Sequence, residues 1–213
     1  MRKSSQIVLA LDETNVSKAL WVADEVGDLV DAIKINWPLV LSSGPEMITE
    51  LSKRSSVICD FKVADIPNTV RLIAEQTFQR GASGLIVHAF PGSDSLKAAV
   101  EAADGNDVFV VTEMSHPGGR EFTSMHAERF AAMAVEAGAR GVIAPATRPE
   151  RIASIRKAVG DLLILSPGVG AQGGSASSAI ANGADYVIVG RSIYGAERPR
   201  EAAETIAREI ADR

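Results

Sequence analysis

Short runs rich in β-branched residues alternate with longer amphipathic or alanine-rich segments along the chain, and the alternation repeats eight times. The β-rich runs fall at residues 7–11, 32–35, 57–61, 85–88, 108–112, 142–144, 162–166 and 186–189. Helical patterning lies near residues 16–26, 45–53, 69–80, 95–103, 127–137, 149–159, 177–182 and 199–211. Strands separated by helices cannot pair as tight hairpins, so the spacing predicts βαβ units and a parallel sheet. Eight units in 213 residues leave about 27 residues each, which suits a compact (β/α)8 TIM barrel with short loops better than an open sheet. With 46% hydrophobic residues the chain can bury one large core, and the expectation is a single α/β domain over residues 1–213.

Three of the predicted helix-to-strand junctions share a pattern. Gly81-Ala82-Ser83-Gly84-Leu85-Ile86-Val87, Gly138-Ala139-Arg140-Gly141-Val142-Ile143-Ala144 and Gly183-Ala184-Asp185-Tyr186-Val187-Ile188-Val189 each place Gly-Ala after a helix and an apolar strand two residues on. The first glycine reads as a helix stop at positive φ, and the alanine lets the chain turn tightly onto the sheet.

Net charge is −5, and Lys and Arg are scattered with no basic run, so no nucleic-acid surface is expected. Small-molecule chemistry fits better. Cys59 is the single cysteine, which forbids an internal disulfide, and nothing before Ile7 resembles a signal sequence. No apolar run approaches the ~20 residues of a membrane span. These features predict a cytoplasmic protein that does not engage membranes.

Charge appears abruptly at the end of the third β-rich run. Val57-Ile58-Cys59 gives way to Asp60-Phe61-Lys62-Val63-Ala64-Asp65-Ile66-Pro67-Asn68-Thr69. Asp60 and Lys62 are two apart, so in extended chain they share a face, with Cα atoms roughly 6.5–7 Å apart. Burying either one unpaired costs several kcal/mol. The sequence offers two partners, Asp65 just downstream and Lys34 in the second run, and the expectation is an alternating Lys-Asp-Lys-Asp array of zero net charge.

Such an array constrains the chemistry. A charge pair ~4 Å apart is worth about 4 kcal/mol at an effective dielectric of about 20, so Lys62 stays an ammonium. That disfavours Schiff-base aldol chemistry, which needs a neutral lysine. It favours a lysine that donates a proton to negative charge developing on a substrate. Asp60 repels an anionic substrate, but repulsion relieved as the substrate loses its own carboxylate lowers the barrier, provided a remote group holds the substrate in place. The pattern points to cofactor-free decarboxylation.

Other polar groups also gather at strand ends, where a barrel of this type places its active site. Asp12 follows the first run, His88 ends the fourth, Thr112-Glu113-Met114-Ser115-His116 follows the fifth, and Arg148-Pro149 opens the helix after the sixth. Ser166-Pro167-Gly168-Val169-Gly170-Ala171-Gln172-Gly173-Gly174 follows the seventh run, and Gly190-Arg191-Ser192 the eighth. These are the two loops from which such barrels build a phosphate site. Glycines let backbone N–H groups approach an anion, and Arg191 can fork onto phosphate oxygens.

Taken together, these motifs, with Ala10-Leu11-Asp12, Lys34 and Val189-Gly190-Arg191-Ser192, resemble the orotidine 5′-monophosphate decarboxylase family in its short, archaeal form, from the first strand to the eighth. The resemblance implies a dimeric (β/α)8 barrel that makes uridine 5′-monophosphate in pyrimidine biosynthesis with neither metal nor organic cofactor. It further implies that Lys62 protonates C6 of the pyrimidine, that Asp60 lies against the substrate carboxylate, and that Lys34 orients Asp60 and contacts ribose. Asp65, with Ile66 and Thr69, would reach into the neighbouring subunit's site, a sharing implied by the resemblance alone. Asp12 would bind ribose hydroxyls, Ser115 the pyrimidine edge, and Gln172, Gly190 and Arg191 the phosphate, with Pro167 and Val169 lining the ring pocket. Beside that family, the stretch Ser175-Ala176-Ser177-Ser178 looks like a shortened lid, a departure that bears on the closing contact over the phosphate and not on Gln172.

Competing readings attach to the same residues. Asp60 and Lys62 alone would pass for a structural ion pair, Asp12 for a helix cap, and Ser115 for turn chemistry. His88, His116 and His126 share no metal-ligand spacing. Cys59, Met114 and Phe90 read as packing residues, and Trp37 fits either a core or a dimer surface. Two other functions remain. One is a magnesium-dependent sugar-phosphate decarboxylase or hexulose-phosphate synthase on the same scaffold, which resembles this chain in Asp-x-Lys-x-x-Asp but places an acidic ligand where Lys34 stands. The other is a catalytically silent nucleotide-binding module, for which four retained charges serve no purpose.

Overall fold

The computed structural model describes residues 4–212; residues 1–3 and 213, the ends of the expected 1–213 span, lie outside the described residues. Eight strands, β1 (Ile7–Leu11), β2 (Ala32–Ile35), β3 (Val57–Val63), β4 (Gly84–His88), β5 (Asp107–Val111), β6 (Gly141–Ile143), β7 (Leu163–Pro167) and β8 (Tyr186–Val189), close into a barrel in sequence order. Every pair is parallel, and β8 returns to β1 through Ile7↔Val187 and its neighbours. The expected TIM barrel is the observed one.

Alternation along each strand divides the core in two. Val8, Ala10, Ile58, Ile86, Phe109, Ile143, Leu165 and Ile188 fill the barrel interior, whereas Ile7, Leu9, Ile33, Cys59, Leu85 and Val142 pack outward against the helices. Phe109 explains the second glycine of the repeated junctions. A Cβ on Gly84 would stand 3.1 Å from its ring and one on Gly141 2.9 Å, so both flanking strands yield space to one aromatic side chain. The first glycines, Gly81, Gly138 and Gly183, have φ of 92°, 75° and 105°, as the helix-stop reading requires. At the opposite end of the barrel the buried Asp31 carboxylate accepts from the backbone N–H groups of Ser4, Ser5 and Gln6 and ties down the entry to β1.

Ten helices clothe the described barrel: α1 (Val16–Val26), α2 (Trp37–Ser43), α3 (Met47–Ser52), α4 (Pro67–Gln79), α5 (Ser93–Ala102), α6 (Thr123–Ala137), α7 (Pro149–Val159), α8 (Ala176–Ala181), α9 (Arg191–Tyr194) and α10 (Pro199–Ala211). Two of them, α2 and α9, fall outside the expected helical segments; α9, four residues long, opens in the Gly190-Arg191-Ser192 stretch read as a phosphate loop. The signal for α2 was its cap: the Asn36 side chain accepts from Trp37 N–H, and Pro38 sits in the first turn. α4 begins at Pro67 rather than at residue 69, since proline's fixed φ suits a first helical turn. β3 runs two residues beyond its expected end, to Val63. Among the described residues no helix is long and apolar enough to cross a membrane.

Candidate active site

The C-terminal ends of the strands surround a cavity of about 220 Å³. Asp12, Lys34, Asp60, Lys62, Ser115, Pro167, Val169, Gln172, Gly190 and Arg191 all line it, drawn from the ends of six strands. At its centre Asp60 bridges two ammonium groups. Lys34 Nζ lies 2.9 Å from Asp60 Oδ2, and Lys62 Nζ lies 2.8 Å from Oδ1 and 2.9 Å from Oδ2. Asp60 is 6% exposed and Lys34 5%, while Lys62 is partly open to the cavity. Burial pushes the Asp60 carboxyl up, but the ammoniums of Lys34 and Lys62 outweigh it and hold the group below its ordinary value. Asp60 is therefore a fixed negative charge at neutral pH.

Lys62 reaches Asp60 by a route that strict strand alternation does not describe. Its φ is 45°, and the pairing of β3 with β4 skips from Cys59 to Val63, so the strand bulges at the lysine. Asp65 does not join the array within this chain: it is exposed, and its Oδ1 accepts from Ile66 N–H at 2.7 Å at the entry to α4. Ile66 is 64% exposed, and Thr69 lies in an outer apolar groove with Trp37, Phe61 and Leu72. The intrachain array is thus Lys34–Asp60–Lys62, with Asp12 Oδ1 3.9 Å from Lys34 Nζ.

Asp12 is not a helix cap, for Asn15 caps α1 by accepting from Lys18 N–H. Its Oδ1 is buried with no hydrogen-bond partner among the described residues, an acceptor available to a ligand hydroxyl. The loops after β7 and β8 pack against each other: Gly170 has φ 71°, and a Cβ there would come within 2.4 Å of Ser192 Oγ. Gly168, at φ 103°, brings the β7 loop against Thr147 and Gln172. Gln172 and Arg191 thereby line one cavity from two loops. Ser175 caps α8 by accepting from Ser178 N–H.

A sequence model described as "Orotidine 5'-phosphate decarboxylase / HUMPS family" matches residues 5–206. The chain belongs to this family. A curated relative named orotidine 5'-phosphate decarboxylase, from Methanosarcina mazei, is 59% identical over 99% of this chain and 97% of its own length. The crystal structure of the Methanocaldococcus jannaschii orotidine 5'-monophosphate decarboxylase complexed with the inhibitor BMP superposes with a TM-score of 0.91 at 43% identity, covering 96% of this chain and 97% of that one. The Pyrococcus horikoshii OT3 orotidine 5'-phosphate decarboxylase gives 0.90 at 49% identity, covering 96% and 99%.

Within this decarboxylase-family site one supporting cluster was not legible in sequence. Glu113, 0% exposed, accepts from Arg148 Nε at 2.8 Å and from Arg151 Nε at 2.8 Å. Arg148 donates onward to the Met114 carbonyl, and Thr147 Oγ1 donates to the Ser115 carbonyl at 3.2 Å, which fixes the loop bearing Ser115. Arg148 precedes α7 in non-helical backbone and Arg151 lies in its first turn, and nothing local says that they face Glu113. Asn36, the cap of α2, and Tyr194, the last residue of α9, also line the cavity. Among the described residues no group of three or more His, Cys, Asp or Glu side chains is arranged to hold a metal ion. Cys59 is fully buried, and burial followed by the Asp60 charge pushes its thiol up to about 12, in keeping with a packing role.

His88 closes β4 with its ring 5.0 Å from that of Phe90. Burial first, then repulsion by the Lys62 ammonium, brings its pKa down from 6.5 to about 4, with Asp60 opposing. A folded value below the unfolded one means that the unfolded chain takes up the proton first. The stability at stake is present above pH 6.5 and is lost as pH falls toward 4, on the order of 1–3 kcal/mol. Thermal melts across that window are expected to show a shallower fall in Tm for His88→Asn than for the unaltered protein. Equal slopes would refute the assignment.

Proposed function

We infer that this chain decarboxylates orotidine 5′-monophosphate to uridine 5′-monophosphate, as a step of pyrimidine biosynthesis and without metal or organic cofactor. The observation that carries this reading is the placement of a Lys-Asp-Lys chain and a Gln-Arg pair in one cavity. One end suits a carbanion-forming step and the other a phosphate. The names of the relatives support the same substrate.

The substrate's C6 carboxylate is placed against Asp60, whose negative charge is enforced by Lys34 and Lys62. Contacts from Gln172, Gly190 and Arg191 to the 5′-phosphate, and from Asp12 and Lys34 to ribose hydroxyls, hold the substrate there against the repulsion. Ser115 meets the pyrimidine edge, with Pro167 and Val169 beside the ring. The C6–carboxylate bond breaks, carbon dioxide leaves, and the electron pair stays on C6. The Lys62 ammonium, already aimed at Asp60, stabilises that charge and passes its proton to C6; water then restores the ammonium.

The functional unit is a homodimer with shared sites. Trp37, Phe61, Thr69 and Leu72 line an apolar groove beside the exposed Ile66, an arrangement suited to cover by a second copy. Asp65, unpaired with any lysine among the described residues, would then complete the charged array of the neighbour, with Ile66 and Thr69 alongside. A single buried cysteine, which forms no internal disulfide, and a biosynthetic reaction on a small nucleotide support a cytoplasmic location.

Purified protein, exhaustively chelated, is expected to consume orotidine 5′-monophosphate with release of carbon dioxide. Activity that appears only on a sugar phosphate after magnesium is added would move the protein to the metal-dependent branch. Binding of uridine 5′-monophosphate with no turnover of either substrate would make it a silent nucleotide-binding module.

A further inference from the structure

Lys62 is one of three non-glycine residues in the described chain at positive φ, and it is the one that carries the proposed proton. The sheet does not hold it there. Pairing of β3 with β2 ends at Cys59, and pairing with β4 jumps from Cys59 to Val63, so residues 60–62 stand outside both registers. A lysine in the left-handed region needs its surroundings to enforce that conformation.

The peptide unit entering Lys62 begins with the Phe61 carbonyl, and the orientation of that unit is what φ of Lys62 measures. Trp37 Nε1–H donates to this carbonyl at 3.2 Å. The indole also stacks on the Phe61 ring, with centroids 4.5 Å apart and planes at 26°. Trp37 is the first residue of α2, which Asn36 caps, so the indole is carried on an anchored helix start. It is 45% exposed and outside the cavity, and no substrate contact accounts for it.

We propose that Trp37 is a positioning residue for the reaction: its indole N–H holds the Phe61 carbonyl and thereby fixes the bulge from which Lys62 reaches Asp60 and the substrate. The proposal rests on the reading of Lys62 as proton donor. Stacking on Phe61 sets where the indole lies, and the hydrogen bond sets which way the peptide faces. Only the second bears on Lys62.

The two roles separate chemically. The protein has two tryptophans, so in a Trp21→Phe background Trp37 can be replaced uniformly by benzothienylalanine, which keeps the ring shape and lacks the N–H. Turnover of orotidine 5′-monophosphate is expected to fall about tenfold in kcat, with KM and Tm close to those of the Trp21→Phe parent. Trp37→Phe is expected to lose at least as much. An analogue-bearing protein with the parent's kcat would overturn the proposal. A parent that turns over nothing would instead overturn the decarboxylase reading, and the crystal structure of the analogue-bearing protein decides the proposal in either case. Lys62 leaving positive φ, or its Nζ leaving Asp60, supports it; an unchanged Lys62 refutes it.

Discussion

Lys62→Ala is expected to lower kcat for orotidine 5′-monophosphate by at least about 10⁴-fold while a uridine phosphate still binds within about tenfold of its original affinity. Two losses combine. A positioned general acid contributes about 10²–10⁴ in rate, and an ammonium facing developing negative charge in a water-poor site contributes a further 10²-fold or so. Binding survives because Gln172 and Arg191 line the cavity from the loops after β7 and β8 and make no contact through Lys62. The fold survives as well, since Lys34 remains 2.9 Å from Asp60 and the carboxylate keeps one buried partner. Single-turnover kinetics with titration calorimetry separates the two quantities. A kcat reduced less than tenfold would remove Lys62 from the chemistry.

Mixing Asp65→Asn protein with Lys62→Ala protein, each nearly inactive alone, is expected to restore about a quarter of the unaltered activity once subunits exchange freely. Half of the dimers are then mixed, and each mixed dimer holds one site with both Lys62 and Asp65 intact. The expectation comes from the position of Asp65, which is exposed, stands outside the Lys34–Asp60–Lys62 array and accepts from Ile66 N–H at the entry to α4. Native mass spectrometry establishes exchange, and activity is read on the same sample. No recovery in a sample with proven mixed dimers would mean that the sites are not shared.

Several expectations that depend on neighbouring residues agree with the structure, although the extended-chain reading of Asp60 and Lys62 gives way to a bulge at Lys62. β1, β2 and β8 have the bounds expected from their β-branched runs, and the junction glycines take the positive φ that a helix stop needs. Residues set two apart, such as Ile58 and Asp60, share a face because extended chain alternates. Helix ends were less legible, since a cap such as Asn36 or a proline such as Pro67 overrides the apolar period by two or more residues.

The sequence by itself therefore determined the eight alternating strand and helix units, the strand ends that carry charge, and the two glycine-rich loops after β7 and β8. All three follow from local periodicity and turn chemistry, which a short window of residues contains. Only the tertiary structure decided how those charges combine. Asp65 lies a few residues from Lys62 yet stands apart from the array, exposed and bonded to Ile66 N–H at the entry to α4. Trp37 meets the Phe61 carbonyl, and Glu113 meets Arg148 and Arg151, across 24 to 38 residues of sequence. Such contacts exist only once the barrel has closed and brought separate loops to one rim, and no pattern within a single segment specifies them.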